Sequence, residues 1–346
     1  MRHRRGTFVV PHGVFRAKVP VLRGDPGTAC RRRPGSRRYP GYGEVVRLIA
    51  HRGASAVWPE HTRAAYLQAL ADGADGVECD VRLTADGVAV CWHDETVDRT
   101  SDGSGPVREH ALAELRALDL LRGADPPTWC GGRGEQVLTL GELIELAVAR
   151  GRPLVLAIEL KHPSGVGWAA EREVLAVLER AGWHDGRVRY PAPEFNMDKL
   201  PIHCPLDLLL AEGTQFRTNA VVEVSLMRFD PGPLAELVRL GAPAGSVMQL
   251  LDDVGVVAQA PGVDAGLVRA LDAQARQAFT DGAVRAVGPS VGLARSRPAD
   301  PAAWQSAGHR VRVWTVNSGE DLALCRALGV AEVTTDDPGR LLRALA

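Results

Sequence analysis

Short apolar runs alternate with amphipathic stretches from residue 45 to the end of this 346-residue chain, and this alternation is what most constrains the fold. Runs rich in β-branched residues are typical of buried strands, whereas apolar residues three or four positions apart are typical of helices. Strands that alternate with helices form parallel β-α-β units. The pattern therefore predicts an α/β fold, and α/β barrels often run to about 250 residues as one unit.

The predicted strands cover residues 45–50, 76–82, 88–93, 153–160, 221–226, 246–251, 284–288, 310–316 and 331–335. The predicted helices cover residues 60–72, 109–118, 139–150, 168–181, 231–240, 264–281, 298–307, 318–328 and 338–345. Nine strands are one too many for an eight-stranded barrel. Because Asp-Gly in Thr84-Ala85-Asp86-Gly87 is a strong turn signal, we predict that the strands on either side of it form a hairpin.

Two long segments fit the alternation poorly. Residues 94–137 are rich in Gly, Asp and Arg, and residues 187–220 contain four prolines with little periodicity. Structureless loops of this length are uncommon inside a compact domain. We therefore predict that both segments are insertions over or beside one face of the fold.

Charge and cysteine content weigh against several classes of protein. The net charge of −1 gives no field suited to nucleic acid or to an anionic membrane. No apolar stretch reaches the roughly 18 residues of a membrane span. The six cysteines are scattered without a C-x-x-C pair, which indicates neither a zinc site nor a dense disulfide framework. This cysteine usage, with no recognisable export signal, predicts a cytoplasmic location.

The first 44 residues differ in composition from the rest. They contain 11 Arg or Lys residues against only Asp25 and Glu44, together with five prolines. We predict a basic, disordered N-terminal tail over 1–44, because such a composition buries too little apolar surface to fold. Two alternatives remain open, namely translation from a start codon set too far upstream and an arm that binds nucleic acid or lipid.

Three carboxylates lie near the carboxyl ends of predicted strands. Glu78 and Asp80 are two residues apart in one strand, so both face the same side, and Glu159 has the same setting in a later strand. Neighbouring carboxylates repel and need a cation or a shared proton. Their hard oxygen atoms suit one divalent cation, Mg²⁺ or Ca²⁺. The alternative is a structural ion network with Arg52 and Lys161, although burying such charge seldom stabilises a fold.

Two histidines also end predicted strands, His51 after residues 45–50 and His93 at the end of residues 88–93. Because histidine titrates near neutral pH, such a pair can act as general base and general acid in one cycle. Arg52 and Lys161 carry donors that suit phosphate oxygens. Active sites of parallel α/β folds lie at the carboxyl ends of the strands. These residues together predict metal-assisted phosphoryl transfer or phosphodiester hydrolysis.

With these residues in place, the sequence resembles the glycerophosphodiester phosphodiesterase family. Its members are TIM barrel phosphodiesterases similar to phosphatidylinositol-phospholipase C. The matching motifs stand in the family's order and run through nearly the whole body of the chain. They are His51-Arg52-Gly53, Pro59-Glu60-His61-Thr62, Glu78-Cys79-Asp80-Val81, His93-Asp94, Ile158-Glu159-Leu160-Lys161, Val313-Trp314-Thr315-Val316-Asn317 and Thr334-Thr335-Asp336-Asp337-Pro338. Each motif alone is weak, but the ordered set is specific.

The resemblance implies a single-domain TIM (β/α)8 barrel over 45–346, with insertions at about 94–137 and 187–220. It implies metal-dependent hydrolysis of glycerophosphodiesters, small-molecule substrates, to an alcohol and sn-glycerol 3-phosphate. We expect no nucleic-acid partner and no stable membrane insertion, and the oligomeric state stays open. Carried over by position, the implied roles are metal ligands for Glu78, Asp80 and Glu159, acid/base catalysts for His51 and His93, phosphate binding for Arg52 and Lys161, and pocket lining for Trp314.

Two departures from the family pattern bear on the site. His61 stands where the family usually has asparagine; it could rewire hydrogen bonds or cap the following helix, and we favour the cap. The stretch 187–220 replaces a short link and could reshape the substrate mouth. Trp92, beside His93, is expected to pack on the opposite face of its strand.

Two other functions remain open. A phospholipase D-like hydrolysis of lysolipids or sphingolipids would need an apolar rim, which the leucines within 187–220 could supply. A non-catalytic phosphoester-binding barrel would lack at least one histidine or carboxylate of the set, and none is missing.

Overall fold

The structure is a computed structural model that describes residues 46–126, 128–161, 167–189, 221–259, 264–280 and 284–345. The predicted tail over 1–44 and residues 190–220 of the second insertion lie outside the described residues. Among the described residues, no helix combines the length and the apolar character that crossing a bilayer requires.

Within the described ranges, eleven strands join one sheet. They are β1 Arg47–His51, β2 Gly76–Leu83, β3 Ala89–Cys91, β4 Leu154–Leu160, β5 Trp183–His184, β6 Arg187–Arg189, β7 Val221–Arg228, β8 Val247–Leu251, β9 Ala286–Pro289, β10 Arg310–Val313 and β11 Glu332–Thr335. All nine predicted strands are present, with ends that differ by up to three residues.

The α-helices of the described chain lie mostly between successive barrel strands. They are Arg63–Asp72, Leu112–Ala117, Leu140–Ala149, Ala169–Arg180, Pro231–Arg239, Val254–Val257, Ala265–Thr280, Val291–Ser296, Ala299–Ser306, Gly319–Ala327 and Pro338–Leu345. Nine of them correspond to predicted helices. The short helices at 254–257 and 291–296 were not predicted, since one or two turns are too few to show a period.

Eight parallel strands close into a ring. The order around it is β1, β2, β4, β7, β8, β9, β10 and β11, and β11 pairs in parallel with β1. This confirms the predicted TIM barrel. β3 pairs antiparallel with β2, which confirms the hairpin predicted at Asp86-Gly87. A second antiparallel ribbon, β5 and β6 against β7, was not predicted.

The first insertion, 94–137, is compact along its described part. It contains the α-helix Leu112–Ala117 and three 3-10 helices, Val107–Glu109, Thr128–Cys130 and Arg133–Glu135. Its apolar residues form a separate cluster with Val90 and Trp92 of the hairpin. Trp92 is buried there, on the side expected for a packing residue.

The barrel interior carries charges at its amino end. Arg47 of β1 bonds to Glu223 of β7 across the ring, at 3.3 Å, and also to Glu332 of β11. Arg312 Nε donates to Glu332 at 2.9 Å, and both of these side chains are almost wholly buried. TIM barrels usually fill this space with branched aliphatic side chains. Here an aliphatic and methionine layer lies above the charged one, closer to the carboxyl end.

The buried pair of Glu332 and Arg312 leads to a prediction about stability. Burial opposes ionisation, but the charges of Arg312, Arg310 and Arg47 outweigh it and lower the pKa of Glu332 to about 2 from its ordinary 4.5. The resulting stability, about 3 kcal/mol, is fully present above the ordinary pKa and is lost as the pH falls toward the lowered one. Glu332→Gln leaves Arg312 without its counter-charge and should lower the free energy of unfolding by about 3–5 kcal/mol near neutral pH.

Urea unfolding of both proteins at several pH values measures this. The difference in the free energy of unfolding between wild type and Glu332→Gln should become smaller in acid, because Glu332 then becomes neutral in the wild type as well. Glu223→Gln is the matched control: its carboxylate is 30% exposed, so a smaller loss is expected. If the difference in the free energy of unfolding stayed constant with pH, the lowered pKa of Glu332 would be wrong.

Candidate active site

Strand register gathers the predicted site residues at the carboxyl end of the barrel. His51, the last residue of β1, lies beside Glu78 of β2. Asp80 of β2 lies beside Glu159 of β4. His93 stands two residues after β3, and the hairpin brings it beside β2, where Arg82 Nε donates to its carbonyl at 2.9 Å. Parallel strands all end at the same rim, so side chains that are distant in sequence meet there.

Glu78, Asp80 and Glu159 form a tight carboxylate cluster. One oxygen of each lies within 4.8 Å of the others, the only such group among the residues that the structure describes. Glu78 and Asp80 are fully buried, and Glu159 is nearly so. Three acids so close together can stay ionised only if positive charge is nearby.

The cations of the cluster are Arg52 and Lys161, and both contact carboxylates. Arg52 Nε lies 2.9 Å from Asp80 Oδ2, and Lys161 Nζ lies 3.0 Å from Asp80 Oδ1 and 2.7 Å from Glu159. These are the ion pairs that the structural-network alternative expects. They leave three negative charges against two positive ones, so the network does not balance by itself.

The pKa values follow this imbalance. Burial opposes ionisation of Asp80, but Lys161, His61 and Arg52 hold its pKa well below the usual range. Burial, and then the charge of Asp80, raises the pKa of Glu78 well above its usual value and that of Glu159 to about 7. Asp80 is thus stabilised in its ionised form by the nearby cations, whereas Glu78 and Glu159 are harder to ionise beside it.

The cluster fits a hard divalent cation. Its ligand atoms are carboxylate oxygens, which Mg²⁺ and Ca²⁺ prefer. Asp80 Oδ1 is buried and accepts no well-oriented hydrogen bond from the described residues, although Lys161 lies close to it. A buried oxygen of this kind is costly unless something binds it. A bound cation would satisfy Asp80 Oδ1 and neutralise the excess negative charge.

Each predicted catalytic histidine is held by an aspartate. His51 Nδ1 lies 2.6 Å from Asp336 Oδ1, and His93 Nδ1 lies 2.6 Å from Asp94 Oδ1. A carboxylate can only accept, so Nδ1 carries the proton in both rings. Neither Nε2 has a hydrogen-bond partner among the described residues. Both rings therefore keep Nε2 available for proton transfer.

The two aspartates are themselves anchored. Asn317 Nδ2 donates to Asp336 Oδ2 at 2.5 Å, and Ser55 Oγ donates to Asp336 Oδ1 at 3.2 Å. Arg99 Nε donates to Asp94 at 2.6 Å, and together with His93 it lowers the pKa of Asp94 to about 2 despite partial burial. Neither aspartate was predicted as a site residue, although both occur in the motifs that carry the resemblance. A histidine that ends a strand gives no sign of which acid will hold it.

Comparisons with known proteins bear on the chemistry of this site. A model of the glycerophosphoryl diester phosphodiesterase family matches residues 51–202. The probable glycerophosphodiester phosphodiesterase 1 of Mycobacterium tuberculosis (strain CDC 1551 / Oshkosh) is 37% identical over 298 residues, which cover 85% of this chain and 90% of that protein. The chain belongs to the glycerophosphodiester phosphodiesterase family. It is therefore an enzyme, a phosphoric diester hydrolase.

Solved structures share its fold. A putative glycerophosphoryl diester phosphodiesterase from Silicibacter pomeroyi has a TM-score of 0.59 at 23% identity, covering 90% of this chain and 95% of that one. A phosphodiesterase from Oleispira antarctica, solved in complex with the product sn-glycerol-3-phosphate, has a TM-score of 0.57 at 22% identity, covering 86% and 96%. At these identities the likeness shows the barrel fold alone.

The favoured role of His61 as a helix cap is wrong. Thr62 caps the helix Arg63–Asp72, accepting from the backbone N–H of Ala65. His61 is 3% exposed and points inward. Its Nε2 lies 2.9 Å from Asp80 Oδ2 and its Nδ1 lies 2.8 Å from the Tyr66 hydroxyl. The structure instead shows His61 bridging Asp80 and Tyr66, so the hydrogen-bonding alternative stays a prediction about how this differs from asparagine.

Trp314 lies at the carboxyl end of β10, half-buried above the interior layer of the barrel. Its Nε1 donates to the carbonyl of Gly288 at 2.7 Å. Its ring meets Phe229 edge to face, with ring centroids 5.5 Å apart. Phe229 follows β7 and is 41% exposed, so the pair forms an apolar wall on the rim where the strands end. Phe229 was not predicted as a site residue.

Proposed function

We propose that this glycerophosphodiester phosphodiesterase cleaves glycerophosphodiesters to an alcohol and sn-glycerol 3-phosphate, using one divalent cation and an acid/base pair, His51 and His93. The observation that carries the proposal is the pairing of two aspartate-held histidines with an unbalanced cluster of three carboxylates at the same rim. The Oleispira antarctica phosphodiesterase, of the same fold, was solved with sn-glycerol-3-phosphate as its product, which supports this choice of product.

In this proposal Glu78, Asp80 and Glu159 hold the cation, Mg²⁺ or Ca²⁺. When bound, the cation would neutralise the cluster and withdraw charge from the phosphodiester oxygens. It would also compete with Arg52 and Lys161 for the same carboxylate oxygens. The two cationic side chains would then be available to phosphate oxygens, which suit a guanidinium fork and an ammonium group.

The two histidines would divide the proton transfers. One histidine starts neutral, and its Nε2 takes the proton of the attacking glycerol 2-hydroxyl. The other starts as imidazolium, and its Nε2 gives a proton to the oxygen of the leaving alcohol as its bond to phosphorus breaks. Water then opens the cyclic phosphate with the two roles exchanged, which regenerates the starting protonation.

Trp314 would line the pocket for the apolar side of the glycerol or the alcohol. Its edge-to-face contact with Phe229 holds the indole upright at the rim, and the bond to Gly288 fixes its orientation. Aromatic faces of this kind bind carbon-rich surfaces without adding charge. Both residues would thus affect KM more than kcat.

The test is release of glycerol 3-phosphate from glycerophosphocholine by the purified chain with Mg²⁺, with Ca²⁺ and with EDTA. Release with one cation and none with EDTA is the expected result. Lysophosphatidylcholine serves as a second substrate, and a preference for it would favour the phospholipase D-like alternative. No release from either substrate with any cation would overturn the proposal.

Asp336→Asn tests the orientation of His51. An amide can donate to His51 Nδ1, which moves the ring proton to Nε2 and removes the lone pair that faces the site. We expect kcat to fall on the order of 10²-fold with KM little changed. Asp337→Asn is the matched control, since Asp337 caps the last helix through Arg340 N at 2.8 Å, a role asparagine fills equally well, and its ion pair with the exposed Arg340 side chain is long, at 3.9 Å. Equal activity of the two variants would contradict a role for Asp336.

A further inference from the structure

His61 occupies a position with two requirements. Its backbone is left-handed, with φ of 61°, and its N–H donates to the carbonyl of Arg52 at 3.0 Å. Asparagine and histidine are among the few residues that tolerate this conformation. Both also carry a side-chain N–H. Histidine at this position therefore suits the left-handed backbone and supplies a donor on a longer side chain than asparagine would.

The contacts of His61 determine which ring nitrogen carries the proton. Asp80 Oδ2, 2.9 Å away, can only accept, so Nε2 donates to it. Nδ1 then accepts from the Tyr66 hydroxyl at 2.8 Å, which is closer than the second possible acceptor of that hydroxyl, the carbonyl of Glu78 at 3.3 Å.

This arrangement makes the two oxygens of Asp80 unequal. Oδ2 is contacted by His61 Nε2 and by Arg52 Nε, each at 2.9 Å. Oδ1 has only Lys161 Nζ nearby, at 3.0 Å, in an ion pair without a well-oriented hydrogen bond from the described residues. Because His61 Nε2 bonds to Oδ2, rotation of the carboxylate is restricted, and Oδ1 keeps its direction toward Glu159 and Lys161, where a cation would compete with the ammonium group. Both nitrogens of His61 are engaged and the ring is buried, so His61 itself reaches neither substrate nor cation.

We propose that His61 is a positioning residue that fixes Asp80 through Oδ2 and thereby reserves Oδ1 for the divalent cation. The inference rests on the proposed function, since it requires the carboxylate cluster to bind a cation. Partners of metal ligands typically contribute 10- to 100-fold in metal affinity, because they hold the ligand in its binding orientation.

Calorimetric titration of the metal-free full chain with Ca²⁺ and with Mg²⁺ tests this. His61→Gly removes the donor without straining the left-handed backbone. We expect it to weaken cation binding about 10- to 100-fold. His61→Asn restores a donor and should recover most of that loss. Tyr66→Phe, the matched control, removes the far end of the bridge but keeps the donor to Asp80, so it should lower the urea midpoint and leave cation affinity near that of the wild type.

A second measurement needs no variant. A long-range ¹H–¹⁵N NMR spectrum of the wild type reports the tautomer of a buried histidine, and we expect the Nε2–H form. The Nδ1–H form would overturn the inference even if His61→Gly does not fold. Cation binding that is equal in the wild type and in His61→Gly would overturn the inference alone. A wild type that binds neither cation would overturn the metal site of the proposed function, and this inference with it.

Discussion

Replacing His51 with alanine should lower kcat for glycerophosphodiester hydrolysis about 10²- to 10⁴-fold, the usual contribution of a positioned acid or base. His93→Ala should cause a loss of the same order. Each ring presents a free Nε2 at the rim while an aspartate holds its Nδ1 at 2.6 Å. Because both rings serve one proton-transfer cycle, the double variant should lose much less than the product of the two single losses.

Steady-state kinetics with glycerophosphocholine at saturating cation measures this, since KM should change far less than kcat. His184→Ala is the control: its side chain is 81% exposed and pairs only with the neighbouring Asp185. It should leave kcat unchanged. If either His51→Ala or His93→Ala kept the activity of the wild type, the two-histidine mechanism would be wrong.

Glu78→Gln should have opposite effects on activity and on stability. The amide keeps an oxygen for the backbone N–H of Arg52, which donates to Glu78 at 3.0 Å, and it replaces an acid whose ionisation is opposed by burial and by the charge of Asp80. In the metal-free protein this should raise the free energy of unfolding by about 1–3 kcal/mol. With cation present, activity should fall on the order of 10²-fold or more, because one ligand is weakened.

Urea unfolding in EDTA and kinetics over a range of cation concentrations measure the two effects. Glu109→Gln, at a carboxylate that is 62% exposed, is the control and should change neither. If the cluster were only a structural ion network, Glu78→Gln would destabilise the metal-free chain and leave hydrolysis intact. That result would refute the metal site and would leave the fold assignment unaffected.

Much of the fold could be predicted because its signals are local. The alternation of apolar runs and amphipathic stretches located all nine predicted strands, and Asp86-Gly87 located the hairpin. The short helices at 254–257 and 291–296 and the ribbon of β5 and β6 were missed, because elements of two to six residues contain too few positions to show a period.

The candidate site could be predicted in part for a related reason. His51 and Glu159 lie at or next to the carboxyl ends of their strands, and Glu78 and Asp80 lie in β2 at and beyond the end of its pairing with β1. The fold brings these positions to the same rim. The partners of these residues could not be found in this way. Asp336 lies 285 residues from His51 and becomes its neighbour only because β11 closes the barrel against β1. His61 was predicted to cap the following helix because it stands just before that helix. In the structure Thr62 is the cap.

The sequence by itself determined the class of fold, the family resemblance and the residues that end at one rim, since period, turn chemistry and motif order are properties of short stretches. Only the tertiary structure decided which charges meet. It joined His51 to Asp336, linked His61 to Asp80 and placed Arg312 beside Glu332 within the barrel. The physical reason is that electrostatic and hydrogen-bond energies depend on distance and burial, and both are set by strand register and by closure of the ring.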